Sequence, residues 1–253
     1  MNNINVSNLS LFLALMLVLI AIFISSKERL GLSRDIIVSS VRTIIQLIFV
    51  GFVLKYVFQV DNAILTCIIT LLIIVNASIQ ANKRNPNRHK QFIHSFVAIF
   101  LSTSITLLIL ILSGVIKFIP SQVIPISGMI ASNSMVAIGL CYNNMNIQFI
   151  DQRQQVLEKL ALGASIKRAS LSILQQSIRT GIQPTIDSAK TVGLVSLPGM
   201  MSGLIFAGVD PVHAIKYQIM VMFMLLSATS IGTVIAGYFS YKNYYNNHSQ
   251  LNF

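Results

Sequence analysis

Long apolar runs separated by short polar segments make up most of this chain. A transmembrane helix needs about 20 consecutive apolar residues. Seven runs approach or exceed that length, at residues 9–25, 36–58, 63–81, 92–112, 123–142, 191–208 and 214–238. They predict an all-α fold, a polytopic integral membrane helical bundle with about seven transmembrane helices. Few residues remain outside the runs, so we expect residues 1–253 to form a single transmembrane domain.

The longest polar interruption covers residues 150–190 and has the periodicity of an amphipathic helix. Its apolar stripe recurs at intervals of three and four residues, at Leu157, Leu160, Ala164, Leu171, Leu174, Ile178 and Ile182. Basic residues such as Arg153 and Arg179 fall outside the stripe. The pattern predicts a helical segment that does not cross the membrane but lies on its surface or receives a docking partner from the water.

The number of lysines and arginines alternates from loop to loop, and this predicts the orientation. The first, third and fifth loops carry three, four and at least five of them, whereas the second, fourth and sixth carry one or so each. Cytoplasmic loops are enriched in positive charge. The odd loops, including residues 150–190, are therefore predicted to be cytoplasmic, with the N-terminus outside and the C-terminus inside. The net charge of +11 is explained by this topology and not by nucleic-acid binding, because the basic residues are not interleaved with aromatic ones.

Residues that carry enzyme chemistry are sparse and scattered. The four histidines are dispersed, and the sequence contains no HExxH, GxSxG or GxxxxGK[ST] motif. The two cysteines, Cys67 and Cys141, lie in separate apolar runs and lack the spacing of metal ligands. We therefore predict no catalytic residue and no cofactor bound by this chain, and the sequence does not define metal ligands.

Methionine is abundant, with ten residues, and thioethers suit soft metal ions such as Cu(I). Met220, Met222 and Met224 alternate along one run, however, and so point to different faces of a helix. Adaptable core packing is the favoured interpretation of these side chains.

Polar side chains inside the apolar runs are costly and mark either a transport pathway or hydrogen bonds between helices. Arg42 and Gln46 lie one turn apart in the second run, Asn76 in the third and Asn133 in the fifth. Arg42 lies close enough to the start of its run to extend to the membrane surface. For Arg42 this extension and a pathway role both stay open, and for the other three residues a pathway role and hydrogen bonds between helices both stay open.

Residues 187–211 combine an ion pair with helix-breaking residues. Asp187 and Lys190 are three positions apart and can pair on one helix face. Pro198 is expected to break the helix in mid-span, while Gly199 and Gly203 offer a face for close helix contact. This stretch is interpreted either as ordinary bundle packing or as a hinge that bends when a gate opens.

A short motif inside residues 150–190 resembles the coupling loop through which permeases of ABC transporters dock onto their ATPase. Glu158 precedes a Gly163-Ala164-Ser165 turn, which is followed by Lys167 and Arg168. The glutamate is one position off the spacing usual in importers.

Three longer stretches together resemble the bacterial FetB family of ABC-transporter permeases, and the similarity covers almost the whole chain. They are VRTIIQLIFVGFVLKY from residue 41, VIPISGMIASNSMVAIGLCYNN from residue 123 and DSAKTVGLVSLPGMMSGLIFAGVDPVHAIKYQIMVMF from residue 187. The resemblance implies the homodimeric permease of an iron exporter in the bacterial inner membrane. It also implies a separate cytoplasmic ATPase that supplies the ATP and Mg²⁺ sites. It implies no particular substrate ligands.

Other functions remain open from the residues themselves. A secondary carrier working without ATP would need a carboxylate or histidine inside a span as its coupling group, and none is evident. A scaffold that recruits partners would not need Gln46, Asn76 or Asn133. The cargo of a transporter could equally be another cation or a small organic solute.

Overall fold

The computed structural model describes residues 8–84, 92–246, 248 and 250–251, and the regular elements in these residues are helical. The α-helices are α1 (Asn8–Lys27), α2 (Ser33–Val60), α3 (Ala63–Lys83), α4 (Phe92–Leu112), α5 (Pro120–Asp151), α6 (Arg153–Ala161), α7 (Ile166–Thr191), α8 (Gly199–Phe206) and α9 (Pro211–Ser240). A short 3₁₀-helix, Tyr241–Tyr244, follows α9. The prediction of a helical membrane protein is therefore confirmed.

Five of these helices are long and apolar enough to cross a membrane: α2, α3, α4, α5 and α9. Each coincides with a run predicted from the sequence. The expected span over residues 191–208 does not form one helix, because residues 192–198 are non-helical and α8 has only eight residues. Eight residues rise about 12 Å, against a hydrocarbon core of about 30 Å. The basic residues at 85–91 in the predicted third loop lie outside the described residues.

The chain divides into two compact units, residues 1–61 and 62–253. The first unit contains α1 and α2, which are joined by a tight turn at residues 28–32. The hydroxyl of Ser33, at the start of α2, donates a hydrogen bond to that of Ser25 near the end of α1, at 3.2 Å. This unit is thus a helical hairpin.

The second unit is a bundle built around α5, which packs against α3, α4, α7 and α9. Its core includes the fully buried side chains of Ile130, Ile138, Met145 and Phe149 along the length of α5. A helix that buries residues along its whole length in this way is central to its bundle.

Helix α7 runs antiparallel to both α5 and α9. Along α7, Ser177 donates a hydrogen bond to the Asn144 side chain of α5 at 3.3 Å, and Gly181 lies against Ala137, an earlier residue of α5. The contacts with α9 also run in opposite directions along the two helices. Gly237 lies against Leu174 and Ile178, whereas the earlier residue Thr233 lies against the later residue Gly181. With 26 residues, α7 is about 39 Å long. Residues 150–190 thus divide into a short helix, a turn and a long helix that packs within the bundle.

The C-terminal residues lie against the region where α5 and α7 meet. The Tyr244 ring stacks on Phe149 of α5 at a centroid distance of 4.3 Å, and the Tyr245 hydroxyl is 2.5 Å from that of Ser170 on α7. Tyr244 is almost completely buried. The end of the chain therefore stabilises the N-terminal part of α7.

Side-chain caps set the starts of two of the long helices. The Asn62 carboxamide oxygen accepts a hydrogen bond from the Ile64 N–H at 2.8 Å to begin α3. Asp210 accepts from the N–H groups of Val212 and His213, at 3.0 and 3.3 Å, to begin α9. Hydrogen bonds from the His213 side chain and backbone lower the pKa of the Asp210 carboxyl. Such caps satisfy N–H groups that have no partner within the helix.

Candidate functional site

A cavity of about 440 Å³ lies in the second unit, between α5, α7, α8 and α9. Its lining is apolar apart from uncharged polar and sulfur-bearing side chains. These are Asn133, Thr185, Ser188, Ser196, Gln218, Met129, Met200 and Met222. A large pocket with a few converging polar groups is the default binding site of a protein of this kind.

Three of the residues proposed from the sequence for a pathway or gate line this cavity together: Asn133, Pro198 and Gly199. The Asn133 amide donates to the backbone carbonyl of Met129 on its own helix, at 2.8 Å. This hydrogen bond occupies one N–H of the Asn133 side chain, and the side-chain carbonyl oxygen can still accept a hydrogen bond.

Pro198 does not kink a continuous helix as expected. It has the extended backbone angles of −60° and 144° and is the residue before the first turn of α8. Gly199 and Gly203 do not mediate close contact either, because a Cβ placed on either would meet no atom within 4 Å. The segment at residues 192–198 forms a turn at the cavity in which the Gly193 N–H donates to the Ser196 carbonyl at 3.0 Å. Proline has no N–H and would break the interior of a helix, but just before the first turn no N–H is needed for a helical hydrogen bond.

The predicted pairing of Asp187 with Lys190 is present, at 3.5 Å. The Gln183 amide also donates to the Asp187 carboxylate, at 2.8 Å. Both charged side chains are more than half exposed. Neither residue is among those that line the cavity.

The remaining predicted pathway residues are elsewhere. The exposed Asn76 side chain donates to the Leu72 carbonyl of its own helix at 2.9 Å. Arg42 and Gln46 are exposed on α2, in the first unit. Asn76 is therefore not among the residues that line the cavity, and Arg42 and Gln46 belong to the other compact unit.

Gln218 is a site residue that was not predicted from the sequence. It is 5% exposed, and its side-chain oxygen is buried without a hydrogen-bond partner among the described residues. A signal was present, because Gln218 is a polar residue inside the apolar run of α9. Thr185 and Ser188 were missed for another reason, since residues 150–190 were predicted to lie on the membrane surface or to receive a docking partner.

The turn between α6 and α7 has a well-defined geometry. The N–H of Gly163 donates to the Leu160 carbonyl at 3.0 Å, and that of Ala164 to the Lys159 carbonyl at 2.9 Å. Gly163 has a φ of 82°. This pair of bonds around a left-handed glycine is the Schellman motif, which ends a helix sharply. Leu162, next to the glycine, is 87% exposed.

The other residues of the predicted coupling loop surround this turn. Ser165 caps α7 by accepting from the Arg168 N–H at 3.4 Å, and Glu158 accepts from the Gln154 amide at 3.1 Å. The Lys167 ammonium lies 5.8 Å from the centre of the Tyr238 ring on α9. Glu158, Ser165 and Arg168 are exposed, and Ala164 is half-buried. The helix, turn and helix form a small surface that carries charge of both signs and two exposed leucines, Leu157 and Leu162.

No group of three or more His, Cys, Asp or Glu side chains arranged to hold a metal ion is found within the described part of the chain. The residues that line the cavity carry neutral side chains.

The sequence matches one protein family and several of its known members. The model of a family described as "Uncharacterised protein family (UPF0014)" matches residues 8–245. The chain is 60% identical to the "Probable iron export permease protein FetB" of Escherichia coli, over 99% of this chain and 97% of that protein. It is 34% identical to the UPF0014 membrane protein YjkA of Bacillus subtilis, over 96% and 97%. It is 33% identical to the protein ALUMINUM SENSITIVE 3 of Arabidopsis thaliana, over 94% and 87%.

No solved structure matches the chain. The family model and the relatives each cover nearly the whole sequence, including all the residues that line the cavity and form the turn. The chain belongs to the UPF0014 family of membrane proteins.

Proposed function

We propose that this chain is the permease subunit of an ABC transporter that exports iron, powered by a separate cytoplasmic ATPase. The observation that carries the proposal is the 60% identity, over 99% of the chain, to a protein named as a probable iron export permease. The long apolar helices agree with this role. In this proposal, ATP and Mg²⁺ bind to the partner and this chain binds neither.

The surface proposed to dock onto the ATPase is the turn between α6 and α7, with Glu158, Gly163, Ala164, Ser165, Lys167 and Arg168. Support comes from the exposed Leu162 at the tip of a turn whose backbone is fixed by two hydrogen bonds. Movement of the ATPase at this turn would reach the cavity through α7, which leads from Ser165 to Ser188.

A homodimer is proposed because α7 carries a polar stripe along its full length. The stripe is spaced by three and four residues, and its members are exposed or half-buried: Ser172, Gln176, Arg179, Gln183, Asp187 and Lys190. Since α7 runs beside α5 and α9, both of which are long enough to span a bilayer, the stripe would lie at membrane depth. Lipid cannot satisfy these groups. A second copy of the chain that packs against the stripe would cover them.

The proposed location is the bacterial inner membrane, with the N-terminus outside and the C-terminus in the cytoplasm. If α7 crosses with its neighbours, α1 to α5, α7 and α9 make seven crossings. This count preserves the orientation inferred from the charged loops.

The direct test measures ATP hydrolysis by the purified cognate ATPase with this chain in lipid, during titration with Fe²⁺ and a panel of other cations. We expect hydrolysis to rise when the permease is added and to rise further with Fe²⁺. Stimulation by a different cation alone would refute iron as the cargo. Absence of any association would refute the ABC assignment and favour a carrier that works without ATP.

A further inference from the structure

The cavity between α5, α7, α8 and α9 gathers thioethers that are far apart in the sequence. Met129 belongs to α5, Met200 to α8 and Met222 to α9, and all three line the same 440 Å³ space. Met220 and Met224, the alternating neighbours of Met222, line a different cavity. Of the three alternating methionines on α9, Met222 therefore faces this cavity, while Met220 and Met224 lie on another face of the helix.

Gln218 lies one turn before Met222 on α9 and lines the same cavity. Its buried side-chain oxygen has no hydrogen-bond partner among the described residues. Leaving such an oxygen unpaired costs about 1–3 kcal/mol. A buried, unsatisfied carbonyl oxygen on a residue of a cavity that three methionines also line is a candidate ligand for a cation.

The donor set also indicates the class of cation. The described lining of the cavity contains amides, hydroxyls and thioethers but no charged side chain. An anion would find no positive group there, and hard divalent cations such as Mg²⁺ or Ca²⁺ are usually bound with the help of carboxylates. Thioethers favour soft transition-metal ions, with Cu(I) as the strongest example.

The position of these donors suits a transported ion. A second cavity, of about 560 Å³, shares Val192, Gln218 and Met222 with the first and adds Met201. Gln218 and Met222 thus border both spaces. An ion passing from one to the other would meet the amide oxygen and a thioether on the way.

We propose that the Gln218 side-chain oxygen and the sulfurs of Met129, Met200 and Met222 form a binding site for a soft transition-metal cation in transit through the protein. This inference rests on the proposed transport function and assigns the cargo site to these four side chains. The site holds its ion through neutral ligands, so it releases the ion more readily than a site with carboxylates would.

The test measures metal binding by the full-length protein in lipid nanodiscs without any ATPase, by equilibrium dialysis with Ag⁺, Fe²⁺ under anaerobic conditions, and Mg²⁺. Ag⁺ is a redox-inert probe of soft donors. All variants carry Cys67→Ser and Cys141→Ala, because free thiols would also bind Ag⁺. We expect Ag⁺ to bind more tightly than Fe²⁺ and Mg²⁺ not to bind.

The triple variant Met129→Leu, Met200→Leu and Met222→Leu keeps the volume of the side chains and removes the sulfur. It should weaken Ag⁺ and Fe²⁺ binding by roughly tenfold or more. The control triple variant Met135→Leu, Met220→Leu and Met224→Leu changes methionines that are not among the cavity residues and should bind like the parent. Thermal unfolding checks that both variants are folded, and Gln218→Leu tests the oxygen ligand separately.

Unchanged Ag⁺ binding in the first triple variant, or equal binding of Mg²⁺, would overturn the proposed site. Failure of the site is distinguishable from failure of the transport function. A chain that still stimulates its ATPase but binds no soft cation would refute only the site, whereas loss of ATPase association in the parent protein would refute the function.

Discussion

At the scale of single residues, the conformation of Gly163 decides the shape of the turn between α6 and α7. Its φ is 82°. A residue with a Cβ pays about 1–2 kcal/mol to adopt this left-handed conformation, and the cost is highest for β-branched residues. We predict that Gly163→Val abolishes most of the stimulation of the partner ATPase, because the two hydrogen bonds of the turn would be displaced. Gly163→Asn should retain stimulation, since asparagine tolerates this conformation. Hydrolysis of ATP by the reconstituted complex measures both.

A second glycine controls for backbone strain in this experiment. Gly114 has a φ of 71° and, like Gly163, no atom within 4 Å of the position that a Cβ would occupy. Gly114→Val should lower the thermal stability to a similar extent but leave stimulation per folded molecule unchanged. Equal loss of stimulation in the two valine variants would contradict a specific role for the turn.

At the scale of elements, close packing of α7 on α5 depends on Gly181. A Cβ at this position would lie 2.6 Å from the Ala137 carbonyl oxygen and 2.9 Å from the Thr233 side chain. We predict that Gly181→Ala destabilises the protein by about 1–3 kcal/mol through overpacking, which outweighs the gain of about 1 kcal/mol in helix propensity. Thermal unfolding in detergent measures the effect.

Gly203 is the matched control, because it is also helical but has open space around its Cβ position. Gly203→Ala should leave the stability unchanged or raise it slightly, by up to about 1 kcal/mol. If Gly181→Ala were as stable as the parent protein, α7 would not be packed on α5 as described.

At the scale of the whole molecule, the polar stripe of α7 predicts where two copies meet. In a Cys67→Ser background, Gln183→Cys should be crosslinked between subunits in lipid by a short bis-maleimide reagent, because the stripe needs a polar partner at membrane depth. Val234→Cys, at an exposed apolar position of α9, should not be crosslinked. Gel electrophoresis under denaturing conditions measures the covalent dimer. Equal crosslinking at both positions would exclude α7 as the dimer contact.

Features that depend on neighbouring residues were predictable from the sequence. The five long apolar helices and the pairing of Asp187 with Lys190 at 3.5 Å follow from periodicity or from a spacing of a few residues. The turn at Gly163 was expected from the resemblance of its local motif to a coupling loop. Pro198 shows the limit of this reasoning. A proline inside an apolar run predicts a kinked span, yet the chain leaves the helical conformation altogether before it.

Features that depend on distant residues were decided only by the tertiary structure. An amphipathic pattern fits a helix on a membrane surface and a helix inside a bundle equally well, because it records which face is apolar and not what covers it. The contacts of Gly181 with Ala137 and Thr233 place α7 in the bundle. Met129, Met200 and Met222 likewise share a cavity only because three separate helices converge. The sequence by itself determined the helices and the membrane, whereas packing between distant segments decided which polar and sulfur atoms share a site.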